Sequence, residues 1–188
     1  MAGNVIAGKS GAKHAIVIFD TRYGNTEKIA KSFESGLKKA GIQTSCVNAK
    51  VVVTSLESLK SYDLIAVGAP TEWLSASKPM KQFLESLKNV DLSGKYGFAF
   101  DTKLERPLSG SAAKLIEKEL KREGLLMIGE HESATVFLEN GSTTGAWLKQ
   151  GEEGRFEEIG RRVGAALAAT TPASNPHLVW RLAALNLK

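Results

Sequence analysis

The sequence predicts an α/β fold, a doubly wound parallel sheet with helices on both faces. Runs of strand character alternate with runs of helical periodicity from His14 to Ala168. Three of the strand runs, His14–Phe19, Tyr62–Gly68 and Tyr96–Phe100, are almost continuously apolar, which suits strands covered on both faces. At 188 residues the chain suits one domain with a sizeable core.

Strand 1 is His14–Phe19. Helix 1 runs from about Thr26 to Ala40, with Ile29, Ala30, Phe33 and Leu37 on one face. Glu27 stands in its first turn, Lys38 and Lys39 in its last, and Gly41 follows as a stop. Strand 2 is Ile42–Asn48. A short helix is expected from Thr54, where Thr54-Ser55-Leu56-Glu57 reads as a capping box. Strand 3 is Tyr62–Gly68. Helix 3 begins near Pro79, a residue favoured in a first helical turn, and turns Met80, Phe83, Leu84 and Leu87 inward. Strand 4 is Tyr96–Phe100. Helix 4 spans Ser111–Arg122, with Leu115, Ile116 and Leu120 inward and Gly124 ending it. Strand 5 starts at Leu125 and resumes at Ala134–Leu138 after a polar break. Helix 5 spans Glu152–Ala168, with Phe156, Ile159, Val163 and Leu167 inward. Residues 1–13 read as a flexible leader, 14–170 as the folded domain, and 171–188 as a linker followed by a short apolar segment with Leu178, Trp180, Leu182 and Leu185 on one face.

Composition narrows the function. The net charge is +5, but Lys9, Lys13, Arg181 and Lys188 lie in terminal stretches without acids, and the other 21 basic residues nearly balance 20 acidic ones. No basic groove for nucleic acid is expected. The lone cysteine, Cys46, rules out an internal disulfide and suits a reducing compartment. His14, His131 and His177 match no metal-ligand spacing, so no metal is expected. No run is apolar enough for a signal peptide or a membrane span. The cytoplasm is the expected location.

In such sheets a ligand lies beyond the carboxyl ends of the strands, where strand order reverses. Three loops meet there: Asp20–Thr26, Ala69–Lys78 and Asp101–Gly110. The first is the most informative. Thr21-Arg22-Tyr23-Gly24-Asn25-Thr26 joins an apolar strand to a helix. Helix-start amides lack partners and carry partial positive charge, so an anion is a natural occupant. Gly24 permits a tight turn and close approach to the backbone. The simpler alternative is an N-cap, Asn25 or Thr26, with nothing bound.

Three competing motifs fail on context. Gly3-Asn4-Val5-Ile6-Ala7-Gly8-Lys9-Ser10 spells a P-loop, but no strand precedes it and no helix follows. A phosphoacceptor aspartate is missing at the end of strand 3, where Gly68-Ala69-Pro70 stands. The first loop offers one glycine where a dinucleotide fingerprint needs three.

The first loop resembles the phosphate loop of flavodoxins, [ST]-x-[TY]-G-N-T, at all of its positions. The loop after strand 3, Gly68-Ala69-Pro70-Thr71-Glu72-Trp73, resembles the second flavodoxin loop, and Ser77–Leu84 resembles the helix after it. The likeness covers residues 14–169. It implies a flavodoxin-like, five-stranded parallel sheet in the order 2-1-3-4-5 and flavin mononucleotide (FMN) as cofactor. It also implies a phosphate held by Thr21, Arg22, Tyr23, Gly24, Asn25 and Thr26. The ring would lie against Trp73, with Pro70, Thr71 and Glu72 and the third-loop residues Asp101, Thr102, Lys103 and Leu104 along its edge. An aromatic wall of this kind is worth on the order of 1 kcal/mol beyond area burial.

Two departures from the flavodoxin pattern stand out. The third loop has no aromatic residue, leaving Leu104, Pro107, Leu108 or a second subunit of a homodimer to cover the other face of the ring. The stretch Ala69–Ser77 has no Gly, Asn or Asp, so positive φ there is expected to cost roughly 1–2 kcal/mol per residue and to disfavour a redox-linked backbone flip. The implied role is electron transfer to a redox partner protein or a small electron acceptor. The alternatives are an FMN-dependent NAD(P)H:quinone-type oxidoreductase and a flavin-free binding module on the same fold.

Overall fold

The computed structural model describes residues 12–105, 110–138 and 145–170. The P-loop-like leader, Pro107, Leu108 and the C-terminal segment lie outside them. The elements in chain order are β1 (His14–Phe19), α1 (Asn25–Lys39), β2 (Gln43–Asn48), α2 (Ala49–Val52), β3 (Leu64–Glu72), β4 (Ser75–Ala76) and α3 (Lys78–Ser86). They continue with β5 (Tyr96–Leu104), α4 (Ala112–Arg122), β6 (Leu126–Met127), β7 (Glu132–Leu138), β8 (Ala146–Leu148) and α5 (Glu152–Ala168).

The sheet runs β2-β1-β3-β5-β7-β8, with β4 paired to β3 and β6 to β5. Its first four strands and the β6/β7 position reproduce the expected order, all in parallel register. The fifth strand is divided as its polar break suggests: β6 pairs with Tyr96 and Gly97, and β7 with Phe100 to Leu104. Two short strands were not foreseen. β4 folds back antiparallel on β3, and β8 adds an antiparallel edge beyond β7.

Strand alternation sends successive side chains to opposite faces. Ala15, Val17, Phe19, Phe98 and Phe100 meet Ile29, Phe33 and Leu37 of α1 and Phe156, Ile159 and Val163 of α5. Ile16, Ile18, Ile65 and Val67 meet Met80, Phe83 and Leu84 of α3 and Ile116 and Leu120 of α4. Phe33 stacks on Phe98 at 4.8 Å, and Phe100 meets Phe156 edge-on at 5.9 Å. Helices α1 and α5 touch backbone to backbone: a Cβ on Gly36 would fall 1.9 Å from the Glu157 carbonyl oxygen, and one on Gly160 would fall 2.2 Å from that of Phe33.

The largest differences from expectation are two strand ends, extended by pairing within the sheet, and one helix start. β3 extends to Glu72 and β5 to Leu104: Ala69 and Pro70 pair with Asp101 and Thr102, Thr71 and Glu72 with β4, and Lys103 and Leu104 with β7. Pro70–Glu72 and Asp101–Leu104 are therefore strand residues rather than loop residues. The helix expected from Thr54 starts upstream at Ala49 and continues as 3-10 turns to Ser61, broken at Ser55 (φ −149, ψ 52). Cys46 lies in β2, where burial pushes its thiol up to about 12.

Candidate functional site

β1 delivers the first loop. Asp20 is buried; its amide donates to the Gly68 carbonyl at 3.0 Å, and its carboxylate accepts from the Ser77 hydroxyl at 2.6 Å. The loop is thereby tied to the start of α3. Gly24 occupies the N-cap of α1 at φ 80, and no side chain caps the helix. Neither Asn25 nor Thr26 acts as a cap. The Asn25 side chain donates to the Ala146 carbonyl at 2.7 Å, and the Thr26 hydroxyl pairs with that of Thr102 at 2.9 Å. The Thr21 hydroxyl oxygen is buried without a hydrogen-bond partner. An orphaned hydroxyl beside an uncapped helix start leaves donors that an anion would satisfy.

The second loop is a tight hairpin. Thr71 pairs with Ala76 and Glu72 with Ser75, leaving Trp73 and Leu74 as the two turn residues. Both have positive φ, 46 and 71, the mark of a type I′ turn usually built from Asn and Gly. Trp73 is 97% exposed. Leu74 rests on the approach to α4, where a Cβ on Gly110 would fall 2.4 Å from the Leu74 carbonyl oxygen. From below, the Thr71 hydroxyl donates to Asp101 at 3.0 Å and accepts from the Ala112 amide at 2.9 Å. Asp101 is fully buried, and the same carboxylate oxygen also accepts from the Ser111 hydroxyl and the Ala113 amide.

These elements enclose a cavity of about 450 Å³, within the range of cofactor sites. Thr21, Arg22, Tyr23, Asn25 and Thr26 line it, with Pro70, Thr71, Glu72 and Trp73 and then Thr102, Lys103 and Leu104. Twelve of the fourteen residues expected from the sequence thus meet in one place. Gly24 shapes the turn without lining the cavity, and Asp101 faces the start of α4 instead. The lining charges are Arg22, Lys103 and Glu72, a net positive balance. Arg22 lies 3.8 Å from Glu72, and its guanidinium stands 5.2 Å from the centroid of the Tyr23 ring.

Three lining residues were missed: Val136, Leu138 and Ala146. They come from the β7–β8 ribbon, where Val136 pairs with Leu148 and Leu138 with Ala146. The apolar run Val136–Leu138 was visible in the sequence. Its return through Ala146–Leu148 was too short to read as a strand.

A parallel sheet with an uncapped loop-to-helix junction at its switch point defines a protein that binds a phosphate-bearing ligand beyond the carboxyl ends of its strands. The flavodoxin profile matches residues 17–159, and the chain belongs to the flavodoxin family, whose members bind FMN. A flavodoxin of Clostridium saccharobutylicum is 31% identical over 46% of this chain and 53% of its own length. An NAD(P)H dehydrogenase (quinone) of Archaeoglobus fulgidus is 28% identical over 61% of this chain and 74% of its own. The chain thus spans about half of the clostridial relative. Among solved structures, oxidised flavodoxin 1 from Bacillus cereus shares the fold, with a TM-score of 0.68 over 85% of this chain and 100% of that one at 18% identity.

Proposed function

We propose that this chain holds FMN in the cavity between the two loops and passes electrons between a donor and a redox partner protein or a small acceptor. The observation that carries the reading is the buried, unpartnered Thr21 hydroxyl beside the uncapped start of α1, in a cavity that an exposed indole also lines. In this reading the Thr21 hydroxyl and the first-turn amides hold the phosphate. Trp73 lies along one face of the ring and Leu104 stands on the other side. The backbone at Pro70–Glu72 and Thr102–Lys103 meets the ring's polar edge. Bound FMN supplies reversible electron uptake and release, while the protein sets exposure and charge around it. Glu72 has the Arg22 guanidinium 3.8 Å away, and Asp101 is turned toward the start of α4.

The experiment is flavin fluorescence quenching on titration with FMN, with an absorption spectrum of the purified protein. Saturable quenching near one equivalent supports the reading. Colourless protein that leaves FMN fluorescence unchanged refutes it in favour of a flavin-free module. The second reading, an NAD(P)H:quinone-type oxidoreductase, draws on the Archaeoglobus relative and on the cavity's apolar extension at Val136 and Leu138. Rapid NADPH oxidation by the FMN-loaded protein with a quinone present, together with dimeric mass in solution, would favour it over the shuttle. Among the described residues no helix is long and apolar enough to cross a membrane. With one cysteine in the chain, a cytoplasmic setting is part of the proposal, testable by fractionation.

A further inference from the structure

The outer face of α4 carries a charge pattern that helix stability does not explain. Lys114, Glu117, Lys118, Lys121 and Arg122 recur on it at helical spacing, and with His131 they line an open hollow of about 520 Å³. Every lining residue is charged or titratable, and four are cations. Two of those cations have partners on the protein. Lys121 pairs with Glu117, which also meets His131, and Arg122 pairs with Glu119 at 2.8 Å. Both stand in the last turn, where a helix favours positive charge. Lys114 and Lys118 are exposed and have no ion-pair partner among the described residues. Lys114 stands in the first turn, where a helix disfavours a cation, and no acid is there to offset it. The asymmetry extends across the sheet. On one face, α1 has Glu27 in its first turn and α5 has Glu152 and Glu153. On the other, α3 and α4 have no acid in the first turn and carry Lys78 and Lys114 there.

We propose that the outer face of α4 is a docking surface for an acidic protein. The flavin reading above enters only to give that partner a role in electron transfer. Lys114 and Lys118 lie four residues apart, about 6 Å along the helix axis. Carboxylates one turn apart on a helix, or two residues apart on a strand, have nearly the same spacing. Phosphate backbones are gripped best by guanidinium forks, and the one guanidinium in the hollow is already held by Glu119. The available groups are ammonium ions, which suit the exposed charge pairing of a transient protein complex. The surface is also well placed. The Ala112 and Ala113 amides donate to Thr71 and Asp101, so the start of α4 is tied to the hairpin that exposes Trp73. None of the hollow's residues lines the cavity, so the partner and the cavity's ligand occupy separate sites.

The probe is a fluorescein-labelled octaglutamate peptide, titrated against the full chain by anisotropy at about 50 mM salt, where exposed charges are only partly screened. Saturable binding that weakens as salt is added is expected. Lys114→Glu with Lys118→Glu is expected to weaken the peptide by about tenfold or more. Lys28→Glu with Lys50→Glu makes the same change in net charge at exposed lysines on α1 and α2, and a loss below about threefold is expected there. Lysine acetylation gives a second readout: the peptide protects Lys114 and Lys118 and leaves Lys28 and Lys50 reactive. Thermal unfolding checks that the variants fold. Absence of peptide binding, equal losses in the two double variants, or protection away from α4 overturns the proposal. So does displacement of the peptide by a short DNA duplex or by phosphatidylserine vesicles at a charge concentration about tenfold lower, which would assign the face to nucleic acid or to a membrane surface. None of these measurements uses flavin. A protein that binds no FMN would lose its reading as an electron carrier, and the same titrations would still decide what α4 binds.

Discussion

The two loops facing each other across the cavity reach their shapes by opposite routes. The first, Thr21–Thr26, places its one left-handed residue on glycine, and nothing lies within 4 Å of where a Gly24 Cβ would stand. The second places Trp73 and Leu74 in the same backbone region, at a cost of roughly 1–2 kcal/mol each. The first loop's residues suit its conformation. The second is held against its own preferences by β4 pairing, by the close seat of Leu74 on Gly110, and by the Thr71–Asp101 connection to α4. Strain persists only where the surroundings over-determine it, and it concentrates at functional positions. The second loop's conformation therefore points to function more sharply than its residues do.

The largest test of that difference removes the support of the strained loop. In Asp101→Ala the Thr71 and Ser111 hydroxyls and the Ala113 amide lose their shared acceptor. An unsatisfied buried polar group costs about 1–3 kcal/mol, so a total near 3 kcal/mol is expected, a fall in Tm of roughly 6–12 °C for a chain of this size. FMN affinity falls with it, because the hairpin is released. A loss below about 1 kcal/mol would mean that the hairpin is not held from below. The next test relieves the strain. Trp73→Asn with Leu74→Gly installs the residues that a type I′ turn prefers. It is expected to stabilise the ligand-free protein by about 1–2 kcal/mol after allowing for glycine entropy, while weakening FMN about fivefold through the lost stacking wall. Unchanged stability would remove the strain argument.

The same contrast explains what could be read from the sequence. The first loop was legible because its signals are local: an apolar strand, a glycine and short polar residues before a helical period. β1 and α5 were placed to the residue for the same reason. The second loop's residues were identified, but not their arrangement. Nothing local announces a two-residue turn at Trp73-Leu74, and β3 and β5 run on to Glu72 and Leu104 through pairing with each other, with β4 and with β7. Asp101 was assigned to the cavity edge because the strand's extension was not visible; its carboxylate instead takes the start of α4. The β7–β8 wall escaped because a three-residue strand has too few positions to display a period.

A smaller test addresses the unstrained loop. Gly24→Ala forces an alanine to φ 80 with open space around it, so the cost is conformational alone. About 1 kcal/mol of stability and 2–4 °C of Tm are expected to go, with FMN weakened by about threefold to tenfold as the first-turn amides lose their aim. A variant as stable as the wild type would show that the loop accepts another backbone path.

The smallest expected effect is also the one that separates two accounts of the anion site. Arg22 is the sole guanidinium in the first loop and would be the natural phosphate ligand if side-chain charge did the work. Its side chain is 61% exposed, stands over Tyr23, and lies 3.8 Å from Glu72, bridging the two loops. An exposed pair at that distance is worth a few tenths of a kcal/mol at most. Arg22→Gln is accordingly expected to change stability by less than about 0.5 kcal/mol and FMN affinity by about twofold, with a salt dependence close to that of the wild type. Amides and the Thr21 hydroxyl do not lose their dipoles when salt is added, whereas a guanidinium–phosphate pair in solvent is screened within about 10 Å at 0.1 M. A tenfold or greater loss in Arg22→Gln, vanishing at high salt, would transfer the anion from the backbone to the side chain. The two loops would then differ in strain but not in how they hold a ligand.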